Sequence, residues 1–245
     1  LIPSDSTDAA PARRLDDPAL AGTVNMARDE ALLATRELPT LRFYRWARPT
    51  ISLGYFQAAD SLPLEKYRAE GIEILRRDTG GKAILHDREL TYSLCAPETG
   101  ALAGGPAAAM QAIHAALATE LTRQAQVAVR IRADTAMLSD RPGSAWCFED
   151  SSPLDLAMQG RKLLGSAARR RAGWVLFHGS LVLEAPSQTA EIAAWGREPD
   201  HEGLASALGH CLGYQFVPGS WTENELAAAD CVGTRHASRE FVTRR

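Results

Sequence analysis

Two rhythms of apolar residues alternate along this chain. Met110, Ile113, Leu117 and Leu121 recur at three- and four-residue spacing, which lines them up on one stripe and predicts a helix over 106–124, with Pro106 suited to its first turn. Residues 19–38 predict a second helix, with Met26, Leu32 and Leu33 on its apolar side and Pro39 as its stop. Shorter helices are predicted at 64–70, closed by Gly71 as a C-cap glycine, and at 187–195, 202–212 and 222–230. Thr222-x-x-Glu225 has the form of a capping box at the start of the last of these. The second rhythm is short and β-prone. It predicts strands at 41–46, 50–55, 72–77, 90–94, 127–131 and 174–183, and a hairpin after Asp155 that turns at Gln159-Gly160 with Lys162 opening its return strand. Glycine-rich 98–106 and the Asp-, Ser-, Pro- and Gly-containing 133–145 read as loops. A strand-rich middle with flanking helices predicts an α+β layered arrangement.

Composition narrows the class. At 245 residues the chain suits one large domain, read as 19–245, preceded by a polar, proline-containing flexible arm over 1–18. A formal net charge of −3 lacks the basic footprint of a nucleic-acid binder. No apolar run approaches the roughly 18 residues that span a bilayer, and no apolar signal core opens the chain. Cys95, Cys147, Cys211 and Cys231 are widely spaced, which argues against a zinc site or a disulfide framework and fits a reducing cytoplasm. Three of them, Cys95, Cys211 and Cys231, read as inert packing residues. No metal, no cofactor, no membrane and no nucleic-acid partner is expected, and a monomer is the default.

The chemistry concentrates in two strings. The first, 76–87, reads as strand, tight turn, strand: Arg76-Arg77-Asp78-Thr79-Gly80-Gly81-Lys82-Ala83-Ile84-Leu85-His86-Asp87. Adjacent glycines allow positive φ and put no Cβ in the way of a ligand. Arg76, Arg77 and Lys82 surround that bare backbone with cations, a combination suited to a carboxylate, a phosphate or a polarised carbonyl. The second string runs from Trp146-Cys147-Phe148-Glu149-Asp150 through Gly160-Arg161-Lys162 and Gly165-Ser166-Ala167 to His178-Gly179-Ser180. Cys147 sits in a polar setting, and a free cysteine with a pKa near 8.5 becomes a nucleophile when a cation lies close. Lys162, Arg76, Arg77 and Lys82 are all candidates for that cation. Trp46, Tyr55 and Phe56 suit either an acyl pocket or the core.

These strings resemble the biotin/lipoate A/B protein ligase family, over roughly 24–241. Its members attach biotin, lipoate or octanoate to a lysine of a carrier domain. Lipoate ligases usually carry three glycines in the first string. Thr79-Gly80-Gly81-Lys82-Ala83-Ile84-Leu85-His86, with Glu89-Leu90-Thr91-Tyr92-Ser93 after it, is more similar to the cysteine-dependent octanoyltransferase branch. Ala168 departs from the family, which often has glutamine there, and leaves one polar contact in doubt. The resemblance implies a class II aminoacyl-tRNA synthetase/biotin-lipoyl ligase-like fold, a mixed or antiparallel main sheet packed by helices with a small second sheet. It implies Cys147 as the catalytic nucleophile and Lys162 as the lysine that touches the acyl carbonyl. It also implies substrate-binding roles for Arg76, Arg77, Gly80, Gly81, Lys82, His86, Gly165, Ser166, Ala167, His178 and Gly179, with the backbone amides of the His178-Gly179-Ser180 segment facing the carbonyl. Gly54 and Gln57 fall where the family approaches its ligand, and His86 is expected to line the site without acting as a base. The implied donor is acyl carrier protein, and the implied acceptor a lipoyl-domain protein such as glycine cleavage H protein. Three other readings stay open: an ATP-dependent lipoate ligase, an amidotransferase between lipoyl domains, and a non-catalytic homologue.

Overall fold

A computed structural model describes residues 9–186 and 191–244. Its strands form two sheets. The larger has eight strands in the order β11-β1-β2-β6-β10-β9-β8-β7 and the smaller has three, β4-β3-β5. In chain order these are β1 (Ala10–Leu20), β2 (Thr40–Trp46), β3 (Thr50–Leu53), β4 (Glu73–Arg76), β5 (Ile84–His86), β6 (Glu89–Pro97), β7 (Val129–Ile131), β8 (Leu156–Met158), β9 (Arg161–Arg171), β10 (Trp174–Val182) and β11 (Tyr214–Pro218). The large sheet is mixed: β1 runs parallel to β2 and β11, and the remaining pairs are antiparallel. The α+β expectation of a mixed main sheet with a small second sheet is met.

Period-2 alternation explains why helices cover both faces of the large sheet. Leu94, Val175 and Phe177 face α3 (Gly105–Ala125) and α4 (His201–Leu212), packing with Ile113, Leu117, Leu121, Leu204 and Leu208. The alternate residues Cys95 and Leu176 face the other way, against Leu32 and Leu33 of α1 (Gly22–Thr35). α5 (Glu223–Val232) lies against α1 through Ala27, Ala31 and Ala229, and its Thr222–Glu225 capping box is formed in full.

Several expectations need correction. Residues 10–18 are not a flexible arm: they belong to β1, an inner strand of the large sheet. Its charges hid it. Arg13 is buried on Glu225 and Thr40, and Asp17 pairs with Arg28 and Arg42, so alternation of polarity gave no strand signal. The 76–87 string is strand, turn, strand as expected, but its strands β4 and β5 do not pair with each other, because β3 lies between them. Of the helix expected at 187–195, residues 187–190 lie outside the described residues and 191–195 are not helical. Cys95 is buried as expected, but Cys231 is exposed. No helix among the described residues is long and apolar enough to cross a membrane.

Candidate active site

Sheet register brings the two strings together. Gly165, Ser166 and Ala167 of β9 stand opposite Ser180, Gly179 and His178 of β10, and those three stand opposite Thr91, Tyr92 and Ser93 of β6. Gly179 is obligatory here, because a Cβ would sit 2.2 Å from Ser166 Oγ and 2.5 Å from the Tyr92 ring. The Gly80-Gly81 loop is stitched to the cysteine segment by an isolated bridge between Ala83 and Trp146, with Cys147 N donating to Ala83 O at 2.9 Å. Between these pieces lies a partly open cavity. Cys147, Arg77, Gly81, His86, Gly165, Ser166, Ala167, His178 and Gly179 all line it, and Met26, Trp46 and Ile84 add apolar wall.

Lys162 lies fully buried behind Cys147. Its ammonium has three N–H groups and three partners: Asp155 Oδ2 at 2.7 Å, Cys147 O at 2.8 Å and Cys147 Sγ at 3.4 Å. The Phe148 ring adds a cation–π contact at 4.7 Å. Burial pushes this ammonium down, but the charges of Cys147 and Asp155 outweigh burial and hold it above the usual lysine value. Gly165 leaves room for it, since a Cβ there would meet Lys162 Nζ at 2.9 Å.

Arg77 is the second buried cation. Its guanidinium donates to Ser52 O at 2.9 Å, Gly80 O at 2.7 Å, Lys82 O at 2.8 Å and Thr79 Oγ1 at 3.1 Å, with no carboxylate partner among the described residues. Burial pushes it down to about 10, with Cys147 opposing that shift. By gripping Gly80 O from inside, Arg77 turns the following N–H of Gly81 the opposite way, since a trans peptide sets the two antiparallel. The amides of Gly80, Gly81 and Lys82 make no hydrogen bond to any described residue. Of the three residues, Gly81 lines the cavity, so its amide is a free donor there. The amides of His178, Gly179 and Ser180 are not free, because β10 is an inner strand paired on both edges. The expectation that those amides face a carbonyl is therefore overturned.

Three other expected residues lie outside the cavity lining. Arg76 points away from it, donating to Gly54 O, Gln57 O and Val242 O, and so anchors the C-terminal segment. Lys82 ion-pairs with Asp150 and donates to Ser144 O at 2.6 Å, fastening the loop to the cysteine segment. Gly80 contributes backbone behind Gly81. Gly54 sets how closely the loop approaches: a Cβ there would fall 1.8 Å from Gly81 O. Gly54→Ala is expected to displace the loop and slow any reaction at Cys147 more than tenfold, measured as single-turnover acylation. An unchanged rate would mean that the loop does not need this approach. Gln57 braces the same junction, accepting from Gly54 N and donating to Ala145 O at 3.0 Å.

Sequence reasoning missed the buried polar network beneath the cavity. Asp29 accepts from Arg42, Tyr44 and Ser93 and pairs with His178 Nδ1 at 3.3 Å, while His178 Nε2 meets Thr79 Oγ1 at 2.5 Å. Burial pushes the His178 imidazole below its usual value despite Asp29. Glu89 Oε1 meets His86 Nδ1 at 2.8 Å, and His86 stacks on Trp46 with centroids 3.9 Å apart and meets Ser52 Oγ at 2.7 Å. His86 is thus fixed in place at both nitrogens, matching a lining role. His114 reaches Ser166 Oγ at 2.8 Å and steadies the cavity wall. Of the aromatics left open, Trp46 lines the cavity and Phe56 is 88% exposed. Glu30, Asp78 and His236 bring ligand atoms within 4.8 Å of one another, but Arg235 donates to both carboxylates, which makes the trio a salt-bridge cluster.

Comparison with known proteins decides the family. Residues 21–200 match the model of the lipoyl protein ligase A/B catalytic domain. The chain belongs to that family. It is 34% identical to the octanoyltransferase LipM of Moorella thermoacetica, across 95% of this chain and 98% of that protein. It is 41% identical to the octanoyltransferase LipM of Macrococcus caseolyticus, across 64% of this chain and 60% of that protein. Among solved structures, the Thermoplasma acidophilum protein Ta0514, a putative lipoate protein ligase with bound lipoic acid, superposes with a TM-score of 0.77 at 22% identity. That match covers 96% of this chain and all of that one, and shows a shared fold.

Proposed function

We propose that this acyltransferase moves an octanoyl group from acyl carrier protein, through a thioester on Cys147, to a lysine of a lipoyl-domain protein such as glycine cleavage H protein. The observation that carries this reading is Cys147 Sγ on the cavity wall, 3.4 Å from the buried Lys162 ammonium. The octanoyltransferase relatives support the acyl group and the reaction class.

The chemistry follows from the geometry. Buried positive charge beside a thiol is the condition under which cysteine reacts as thiolate. The thiolate attacks the donor's carbonyl carbon. A C–S bond forms to Cys147, the donor's C–S bond breaks, and the donor leaves as a thiol after taking up a proton. In the second half, a neutral lysine amine attacks the Cys147 thioester, an amide forms, the amine proton is lost and the Cys147 thiolate returns. One thioester replaces another in the first half, and the amide makes the second half downhill, so no ATP is needed. The Lys162 N–H that rests on Sγ has the longest of its three contacts. Once Sγ carries an acyl group, that N–H is free to turn to the acyl oxygen, and with the Gly81 amide it can stabilise the oxyanion.

Intact-protein mass spectrometry after mixing with octanoyl-acyl carrier protein, without ATP, tests the reading. A hydroxylamine-labile octanoyl adduct on Cys147 is expected. An absent adduct, with acceptor labelling only when free octanoate and ATP are supplied, would establish a ligase instead. Lys162→Met is expected to slow acylation about 10²–10³-fold, the usual cost of removing an oxyanion donor. A loss below threefold would remove Lys162 from the mechanism.

A further inference from the structure

The strand that lines the cavity continues outward into an arginine-rich face. Arg169 lies on the same side of β9 as Ala167, two residues on, so roughly 7 Å from the cavity wall at strand spacing. Its guanidinium donates to Asp78 O at 2.9 Å, inside the string that forms the Gly80-Gly81 loop, and stacks over Tyr55 at 4.8 Å. Arg244 stacks on Tyr55 at 3.9 Å and on Phe241 at 5.3 Å. Neither arginine pairs with a carboxylate of any described residue. Their combined charge draws the Tyr55 phenol below its usual value, chiefly through the Arg244 hydrogen bond. Beside them Phe56 is 88% exposed, edge-on to Tyr55 at 4.8 Å.

Unpaired, stacked guanidinium groups around an exposed aromatic have the chemistry of a protein-docking surface, not of a merely solvated one. The N–H groups beyond those bonded to Asp78 O and Tyr55 are available for carboxylate or phosphate oxygens. The chain as a whole carries −3, and the two arginines without a carboxylate partner give this face positive charge that steers an acidic partner to the cavity mouth.

We infer that Arg169, Arg244, Tyr55 and Phe56 form the docking surface for the acyl donor, an acidic carrier protein whose phosphodiester-linked thioester arm passes Ala167 to reach Cys147. The inference rests on the proposed donor chemistry, and its test separates the two. Single-turnover acylation of Cys147 is measured with octanoyl-acyl carrier protein and with octanoyl-N-acetylcysteamine, which has neither protein nor phosphate. The variants are Arg244→Glu and Phe56→Ser, neither of which removes a hydrogen bond to the loop. Arg244→Glu is expected to lose at least tenfold in rate with the carrier-bound donor at subsaturating concentration and to stay within twofold with the small thioester. Phe56→Ser is expected to lose severalfold with the same selectivity, and raised salt to slow only the carrier-bound reaction in the native protein. Equal losses with both donors would make the face a support for the loop. No loss with the carrier, or a selective loss in transfer from preloaded Cys147 to a lipoyl domain, would remove the donor from this surface. If the native protein takes octanoyl from the small thioester and not from the carrier, the donor reading itself fails.

Discussion

Replacing Cys147 with alanine is expected to leave a folded protein that forms no octanoyl adduct and turns over on the order of 10³-fold or more slowly, the scale seen when a nucleophile is removed. Cys147 is half-buried at a cavity wall, at the edge of a small cluster of Ile84, Phe148, Val182 and Ile192 and not within it, so the melting temperature should move little. Serine is expected to fare no better. Its hydroxyl is far less acidic than a thiol, and one neighbouring ammonium already shared with Asp155 does not ionise it. A variant without Cys147 that still loads its acceptor from acyl carrier protein at the native rate would sink the thioester route, whatever the fate of the family assignment.

The largest stability effect is expected at Asp29. It is buried and accepts from Arg42, Tyr44 and Ser93 while facing His178. Asp29→Ala strips the fully buried Arg42 of one of its two carboxylates and leaves two hydroxyls without their acceptor. Breaking a buried pair in this way costs about 3–5 kcal/mol, which in a chain of this size lowers the melting temperature on the order of 10 °C. A shift under 2 °C by calorimetry would show the network to be dispensable. The same residue sets a pH signature. Burial pushes the Asp29 carboxyl up, but the His178 hydrogen bond and the Arg42 charge outweigh it and hold the folded value below the usual one. Its contribution is therefore present above the unfolded value, near pH 4, and is lost as pH falls through the folded one. His178 acts earlier. Its folded value lies below the usual 6.5, so the unfolded chain takes the proton first and stability begins to fall as pH drops below about 6.5. Denaturant titrations at pH 7.5, 5.5 and 3.5 should show two successive declines, the second one reduced in Asp29→Ala.

The reach of local pattern is clear element by element. The stripe of Met110, Ile113, Leu117 and Leu121 became α3, the Thr222–Glu225 box caps α5, and the Gln159-Gly160 turn joins β8 to β9. Each rests on interactions within a few residues, so periodicity and turn chemistry determine it. Most of the expected lining residues were also legible, because short contiguous strings of glycine and cation are themselves local. Tertiary structure decided the rest. β1 escaped notice because its charges are neutralised by Glu225, Arg28 and Arg42, residues distant in sequence or on other elements. Arg76 and Arg77 are adjacent and read alike, yet strand alternation sends one to the C-terminal segment and the other to the cavity. His178, Gly179 and Ser180 looked like amide donors until the pairing of β10 on both edges consumed them. Which cations stand beside Cys147 was likewise undetermined, since Lys162 and Arg77 reach it only through the register of β9 and the Ala83–Trp146 bridge. Sequence specifies which groups are available within a turn or a strand. Pairing and burial specify which of them are left unsatisfied, and the unsatisfied groups are the ones free to do chemistry.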